Sequence, residues 1–269
     1  MLKFVSAALV GAMAVVMGVS LGGVSTAQAQ VRIPDETDPY GMLSPQNLAK
    51  KRPKAAVDVT GVWFPDGNKS ENSFNFRPTV VTPKTQAKMD ELAAMRARGE
   101  QLPDDIGTCW PAGLPLIMTR VWPVQMVQVP TGIIMVAGFL NEVRWVYLDG
   151  RPHPDPEISV PGRMGHSIGH FEGKTLVIDT VNFGVSHHGM GGGVYIGEQA
   201  HLVERYSLST DGKVLTIENT WTDPEHWVGD YKVKKVYNRE DQTDIVENHC
   251  LPDTNDHIAA APKYGGGAK

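Results

Sequence analysis

The stretch Gly165-His166-Ser167-Ile168-Gly169-His170-Phe171-Glu172-Gly173-Lys174-Thr175-Leu176-Val177-Ile178-Asp179-Thr180 concentrates the side chains most able to move a proton. Read as two strands joined at Glu172-Gly173, with Phe171 pairing Lys174, it sets His166 directly across from Asp179 on one face. A carboxylate beside an imidazole fixes its tautomer and raises its pKa, which suits general acid/base chemistry. His166 is the expected acid/base and Asp179 its orienter. Structural ion pairs shift pKa values in the same way, so the pair alone does not establish catalysis.

A second hairpin, turning at Asp211-Gly212 with Thr210 pairing Lys213, adds a further carboxylate. Its register sets Glu204 opposite Asn219, in company with Leu202, Tyr206, Leu215, Ile217 and Trp221. The other face carries Arg205 opposite Glu218 and is solvated. A carboxylate in apolar surroundings is rare without a reason and tends toward a raised pKa. Glu204 is therefore expected as a second carboxylate in a polar spot of a cavity; its structural alternative is a partner such as Arg205 or a neighbouring lysine. Tyr206, Asn219 and Trp221, with His170, His187 and His188, complete the expected ligand-binding set.

Two other chemistries are weighed and set aside. Gly165-His166-Ser167-Ile168-Gly169 matches the G-x-S-x-G nucleophile elbow, but an elbow needs a helix after the serine, and here another strand follows. A metal site fits poorly: His166 and His170 on one strand are about 13 Å apart, and neither H-x-H nor H-E-x-x-H occurs. No metal and no cofactor is expected.

The elements that must position these residues are mostly strands. Val57–Phe64 alternates into a first strand, and Thr82-Pro83 signals a helix start by N-cap and first-turn proline, running to Gly99. Runs at 124–129, 133–139, 143–148, 202–208, 214–221, 231–237 and 244–250 read as strands. Prolines 152, 154, 156 and 161 mark a long loop, and residues 184–197 a glycine-rich one. The expected fold is all-β: an antiparallel meander closing into a calycin-like barrel or a sandwich, with one accessory helix near residues 83–98.

Residues 1–29 read as a cleavable signal peptide, with a basic start, an apolar run and Ala27-x-Ala29 before the cut. Residues 30–56 read as an extended arm, 57–250 as a single domain, and 251–269 as a disordered tail. The expected home is periplasmic or secreted, with no integral membrane segment in the mature chain. The formal net charge is −5, and the only basic cluster, Lys50-Lys51-Arg52-Pro53-Lys54, lies in the arm, so nothing favours nucleic acid. Cys109 and Cys250 are the only two cysteines, and in an oxidising compartment an even count points to a disulfide.

Taken together, Asp58-Val59-Thr60-Gly61-Val62-Trp63, Cys109-Trp110-Pro111-Ala112-Gly113-Leu114-Pro115, Leu148-Asp149-Gly150-Arg151-Pro152-His153-Pro154, the His166 hairpin, Val203-Glu204-Arg205-Tyr206 and Thr222-Asp223-Pro224 resemble a large family of exported, functionally uncharacterised bacterial proteins. That family shows Trp-Glu-Gly-Asp-Thr-Leu where this chain has Phe171-Glu172-Gly173-Lys174-Thr175-Leu176, and Arg in place of His170. Asp179, Glu204 and Asp223 match its pattern. The resemblance implies export and fold, and no activity. The functional expectation is an exported enzyme doing proton-transfer chemistry, of lyase, isomerase or hydrolase type, on a small, largely apolar metabolite. The alternative is a non-catalytic periplasmic protein that binds a small ligand.

Overall fold

The computed structural model describes residues 40–250 apart from 72–75, 104–105, 108 and 186–193. The expected signal peptide, tail, His187 and His188 lie outside the described residues.

Nine strands form one closed barrel in chain order: β1 (Gly61–Pro65), β2 (Val124–Val129), β3 (Gly132–Ala137), β4 (Val143–Tyr147), β5 (His166–Glu172), β6 (Thr175–Val181), β7 (His201–Leu208), β8 (Val214–Thr222) and β9 (Tyr231–Glu240). Closure by β1 pairing with β9 leaves no sheet edge in the ring. The fold is all-β as expected, and it is a barrel rather than a sandwich. One junction departs from a pure meander: β4 and β5 run parallel, through only Val146↔Ser167 and Tyr147↔Ile168. Parallel neighbours need a long crossover, and the proline-rich segment 148–165 supplies it. The expected last strand at 244–250 is irregular chain instead, and β9 extends to Glu240.

Alternation along the strands sends one row of side chains into a buried interior that includes Trp63, Met126, Ile133, Leu176, Ile178 and Leu215. A second apolar cluster, with Phe76, Phe183, Trp221, Trp227 and Tyr231, covers the barrel end where β7 and β9 begin and β8 finishes.

Helix α1 (Pro45–Leu48) is a single turn in the expected arm. The arm is not free of the domain: Met42 and Asn47 are buried, and Thr131 Oγ1 donates to the Met42 carbonyl at 2.6 Å. Helix α2 (Pro83–Ala97) starts as the sequence dictates, with the Thr82 hydroxyl accepting from the Thr85 N–H and proline in the first turn. Thr82 also donates to the Glu225 carbonyl at 2.9 Å, which fixes α2 against the turn after β8. Cys109 and Cys250 form a disulfide. Its second cysteine sits in the irregular chain after β9, not on a last strand. Among the described residues no helix is long and apolar enough to cross a membrane.

Candidate functional site

The β5–β6 hairpin turns at Gly173-Lys174, with Glu172 pairing Thr175, so Asp179 faces Ile168 and His166 faces Val181. The expected register is corrected by the turn. Gly173 takes φ 59° at the first loop position, which a two-residue hairpin loop of this kind reserves for glycine, whereas a Glu172-Gly173 loop needs a special conformation at Glu172 as well. The slip preserves the parity of every side chain. Ser167, Leu176, Ile178 and Thr180 point into the barrel and are fully buried, while His166 and Asp179 share its outer face.

On that face the carboxylate meets two other histidines. Asp179 Oδ1 accepts from His153 Nε2 at 2.9 Å, and Oδ2 accepts from His201 Nε2 at 2.9 Å. His166 is one step further out, its Nδ1 2.9 Å from His153 Nδ1. The direct His166–Asp179 pair is thus replaced by a chain, Asp179–His153–His166, with His201 on the opposite carboxylate oxygen. His153 comes from the 148–165 crossover, and His201 opens β7. The crossover is held in turn: Asp149 grips Arg151 through Nε (2.9 Å) and Nη2 (2.6 Å), and Asn47 of α1 donates to Asp149 at 3.0 Å. The Arg151 guanidinium lies 4.1 Å from the Tyr147 ring centre, and Tyr147 stacks on His166 with centroids 5.1 Å apart.

The charges follow from these contacts. Burial pushes the Asp179 carboxyl up, but hydrogen bonds from His153 and His201 outweigh it and hold the group well below the usual carboxylate range. The bond to Asp179 raises His201, against the effect of burial. Burial, with repulsion from His153 and Arg151 added, pushes His166 down to about 4. The expected rise at His166 is therefore reversed, because no carboxylate touches it. An ionised Asp179 only accepts, so His153 Nε2 carries a proton. A neutral His166 that donates Nδ1–H to His153 Nδ1 leaves its own Nε2 unprotonated. A proton arriving at that Nε2 can be matched by transfer of the Nδ1 proton to His153, beside the carboxylate.

Glu204 is in a separate place. It lies opposite Asn219, as the second hairpin's register dictates, and points into the barrel, where it is fully buried. Its partner is neither Arg205 nor a lysine but Arg144 of β4. Arg144 Nη1 donates to Oε1 at 3.1 Å and Nη2 donates to Oε2, while Nε reaches Ser167 Oγ (3.1 Å) and Nη2 also reaches Thr180 Oγ1 (2.8 Å). Tyr206 donates its hydroxyl to Glu204 Oε1 at 3.1 Å. Burial works against the Arg144 charge, but Glu204 more than offsets it; burial and the same carboxylate push the Tyr206 phenol well up.

The cavity bounded by Arg144, Glu204 and Tyr206 measures about 30 Å³, room for water and not for a metabolite. The reading of this interior as a ligand cavity is corrected: close packing fills it. Asn219 donates to the Val233 carbonyl (3.2 Å), and Trp221 packs edge-on against Phe76. His170 is exposed at the turn end of its strand, 3.3 Å from Glu172, and takes no part in the Asp179 cluster. Sequence reasoning missed His153, His201 and Arg144. Its available signal was the dense Asp149-Gly150-Arg151-Pro152-His153 run in a segment otherwise marked only by prolines. In comparison with known proteins, the chain matches no family model and no curated protein.

Proposed function

We propose that this is an exported enzyme that moves a proton on a small, largely apolar organic molecule, in a reaction of lyase, isomerase or hydrolase type. The observation that carries the reading is the hydrogen-bonded chain from Asp179 through His153 to His166. His166 Nε2 is the general base, His153 takes the relayed charge, and Asp179 orients His153. His201 secures the second carboxylate oxygen. The low basicity of His166 suits a group that accepts a proton briefly and passes positive charge inward, rather than one that stores it. The apolar character of the substrate is supported by Ile158 and Val160, which stand 68% and 89% exposed on the crossover that carries His153. Export is supported by the disulfide, which persists in oxidising compartments, and by the leader-like residues 1–29.

Deuterium uptake from D2O reads proton abstraction without knowledge of the product. A panel of small ketones, esters and aryl-substituted carbonyl compounds with acidic C–H bonds is incubated with the protein and followed by NMR. Wild type is expected to accelerate exchange of at least one class, and His166→Ala and Asp179→Asn to lose about 10²–10⁴-fold of that rate while retaining the native circular-dichroism spectrum. Binding without exchange across the panel supports the alternative of a ligand-binding protein and overturns the catalytic reading. Exchange unaffected by either variant overturns the site.

A further inference from the structure

A second constellation lies at the end of the barrel where β7 begins and β8 finishes, apart from the Asp179 chain. There a cavity of about 430 Å³ opens between α2 and the turn after β8, within the range of small-molecule sites. Lys84, Ala87 and Lys88 of α2 form one wall, and Val185, Tyr195 and His226 the other. His226 is the chemically distinctive member. Its residue is only 6% exposed, and Nδ1 lies 3.0 Å from Asp223 Oδ2. The fully buried Asp223 carboxylate already accepts from two backbone N–H groups, Gly197 to Oδ2 at 2.7 Å and Glu225 to Oδ1 at 3.2 Å. As an acceptor throughout, it takes the Nδ1 proton of His226 as well, which leaves Nε2 of the neutral ring as the acceptor. Nε2 has no hydrogen-bond partner among the described residues.

The backbone at Gly197 is shaped around this ring. A Cβ there falls 2.8 Å from His226 Cε1 and 2.5 Å from Glu225 Oε2, so only glycine lets residue 197 reach Asp223 while lying against the imidazole. The rim charges are matched: Lys84 pairs with Glu225, and Lys88 with Glu91 at 2.6 Å. A charged occupant therefore has to displace an ion pair already made, whereas a neutral one does not. His226 Nε2 is the acceptor that the imidazole offers to an occupant, next to the Tyr195 ring.

We propose that this cavity binds a neutral, largely apolar molecule bearing one hydroxyl, a phenol in the first instance, whose O–H donates to His226 Nε2. The inference is independent of catalysis at Asp179. The probes are phenol and anisole, which differ in that donor, titrated into the full mature protein by calorimetry at neutral pH. Phenol is expected to bind, with anisole weaker on the order of tenfold, the worth of one such hydrogen bond. His226→Phe should erase the difference between the two probes. Because that variant also strips Asp223 of a partner and can unfold, Ala87→Phe supplies a second test. Residue 87 is on the exposed face of α2, so a large ring there should block both probes without lowering the melting temperature. Equal affinity of the two probes in wild type, phenol binding untouched by Ala87→Phe, or no phenol binding each overturns the proposal.

Discussion

His166 and His201 belong to one hydrogen-bonded cluster yet respond to acid in opposite windows. In the unfolded chain His166 takes a proton near 6.5, and in the folded protein near 4. Between those values the unfolded state binds more protons, so this residue's share of stability falls as the pH drops from about 6.5 to 4. His201 has a raised folded pKa, so its contribution is complete below about 6.5 and is lost as the pH rises through the folded value. In NMR titrations of the ring protons, His166 should show a midpoint near 4 and His201 one above the ordinary histidine value; Asp179→Asn should bring His201 back down. A His166 midpoint above that of His201 contradicts the assigned contacts. Asp179 itself is legible in the sequence as a carboxylate sharing a strand face with histidines. Its partners are not, because His153 sits in a segment without periodicity and His201 is separated from Asp179 by a long loop.

At the level of elements, β4 inverts the usual order: its more apolar row, Val143, Trp145 and Tyr147, is turned outward, with Trp145 exposed, while Arg144 and Val146 are buried. The inversion has a structural consequence. The parallel β4–β5 junction has only two residue pairs, and Arg144 reinforces it by reaching Ser167 of β5, Thr180 of β6 and Glu204 of β7. Arg144→Met leaves a buried carboxylate uncompensated and should cost about 3–5 kcal/mol in urea denaturation. Arg144→Met with Glu204→Leu should recover most of that loss, since an apolar pair of similar bulk is often as stable. A single variant within about 1 kcal/mol of wild type sinks the argument. The second hairpin, by contrast, is read correctly from Asp211-Gly212 and its alternation, because local turn chemistry sets that register without help from distant strands.

For the molecule as a whole, the barrel follows from a count of short strands joined by turn signals, while its single parallel step does not, since a crossover leaves no pattern of its own in the residues it passes over. The Cys109–Cys250 bond links positions 141 apart and encloses β2 through β9. By the chain-entropy argument, a loop of that size stabilises the fold by up to ~5 kcal/mol. Denatured, non-reduced protein should show no reactive thiol, and Cys109→Ser with Cys250→Ser should lower the denaturation midpoint by a corresponding amount. Two thiols in the non-reduced protein refute the pairing.

The seam between β1 and β9 has a bearing on the order of events during synthesis. Residues 61–65 are the first strand to leave the ribosome and residues 231–240 the last, yet they are neighbours, with Arg239 over the Trp63 ring at 4.3 Å and bonded to the Thr60 carbonyl at 2.7 Å. A nascent chain that has already formed seven consecutive hairpin and crossover contacts still presents two open sheet edges, each a template for mispairing with another chain. Ring closure waits for the final strand, and it carries the slowest kind of contact, that between the most distant parts of the sequence. Translation that stalls before residue 231 therefore leaves an unsealed sheet rather than a smaller barrel, and such fragments are the species that chaperones and proteases must recognise.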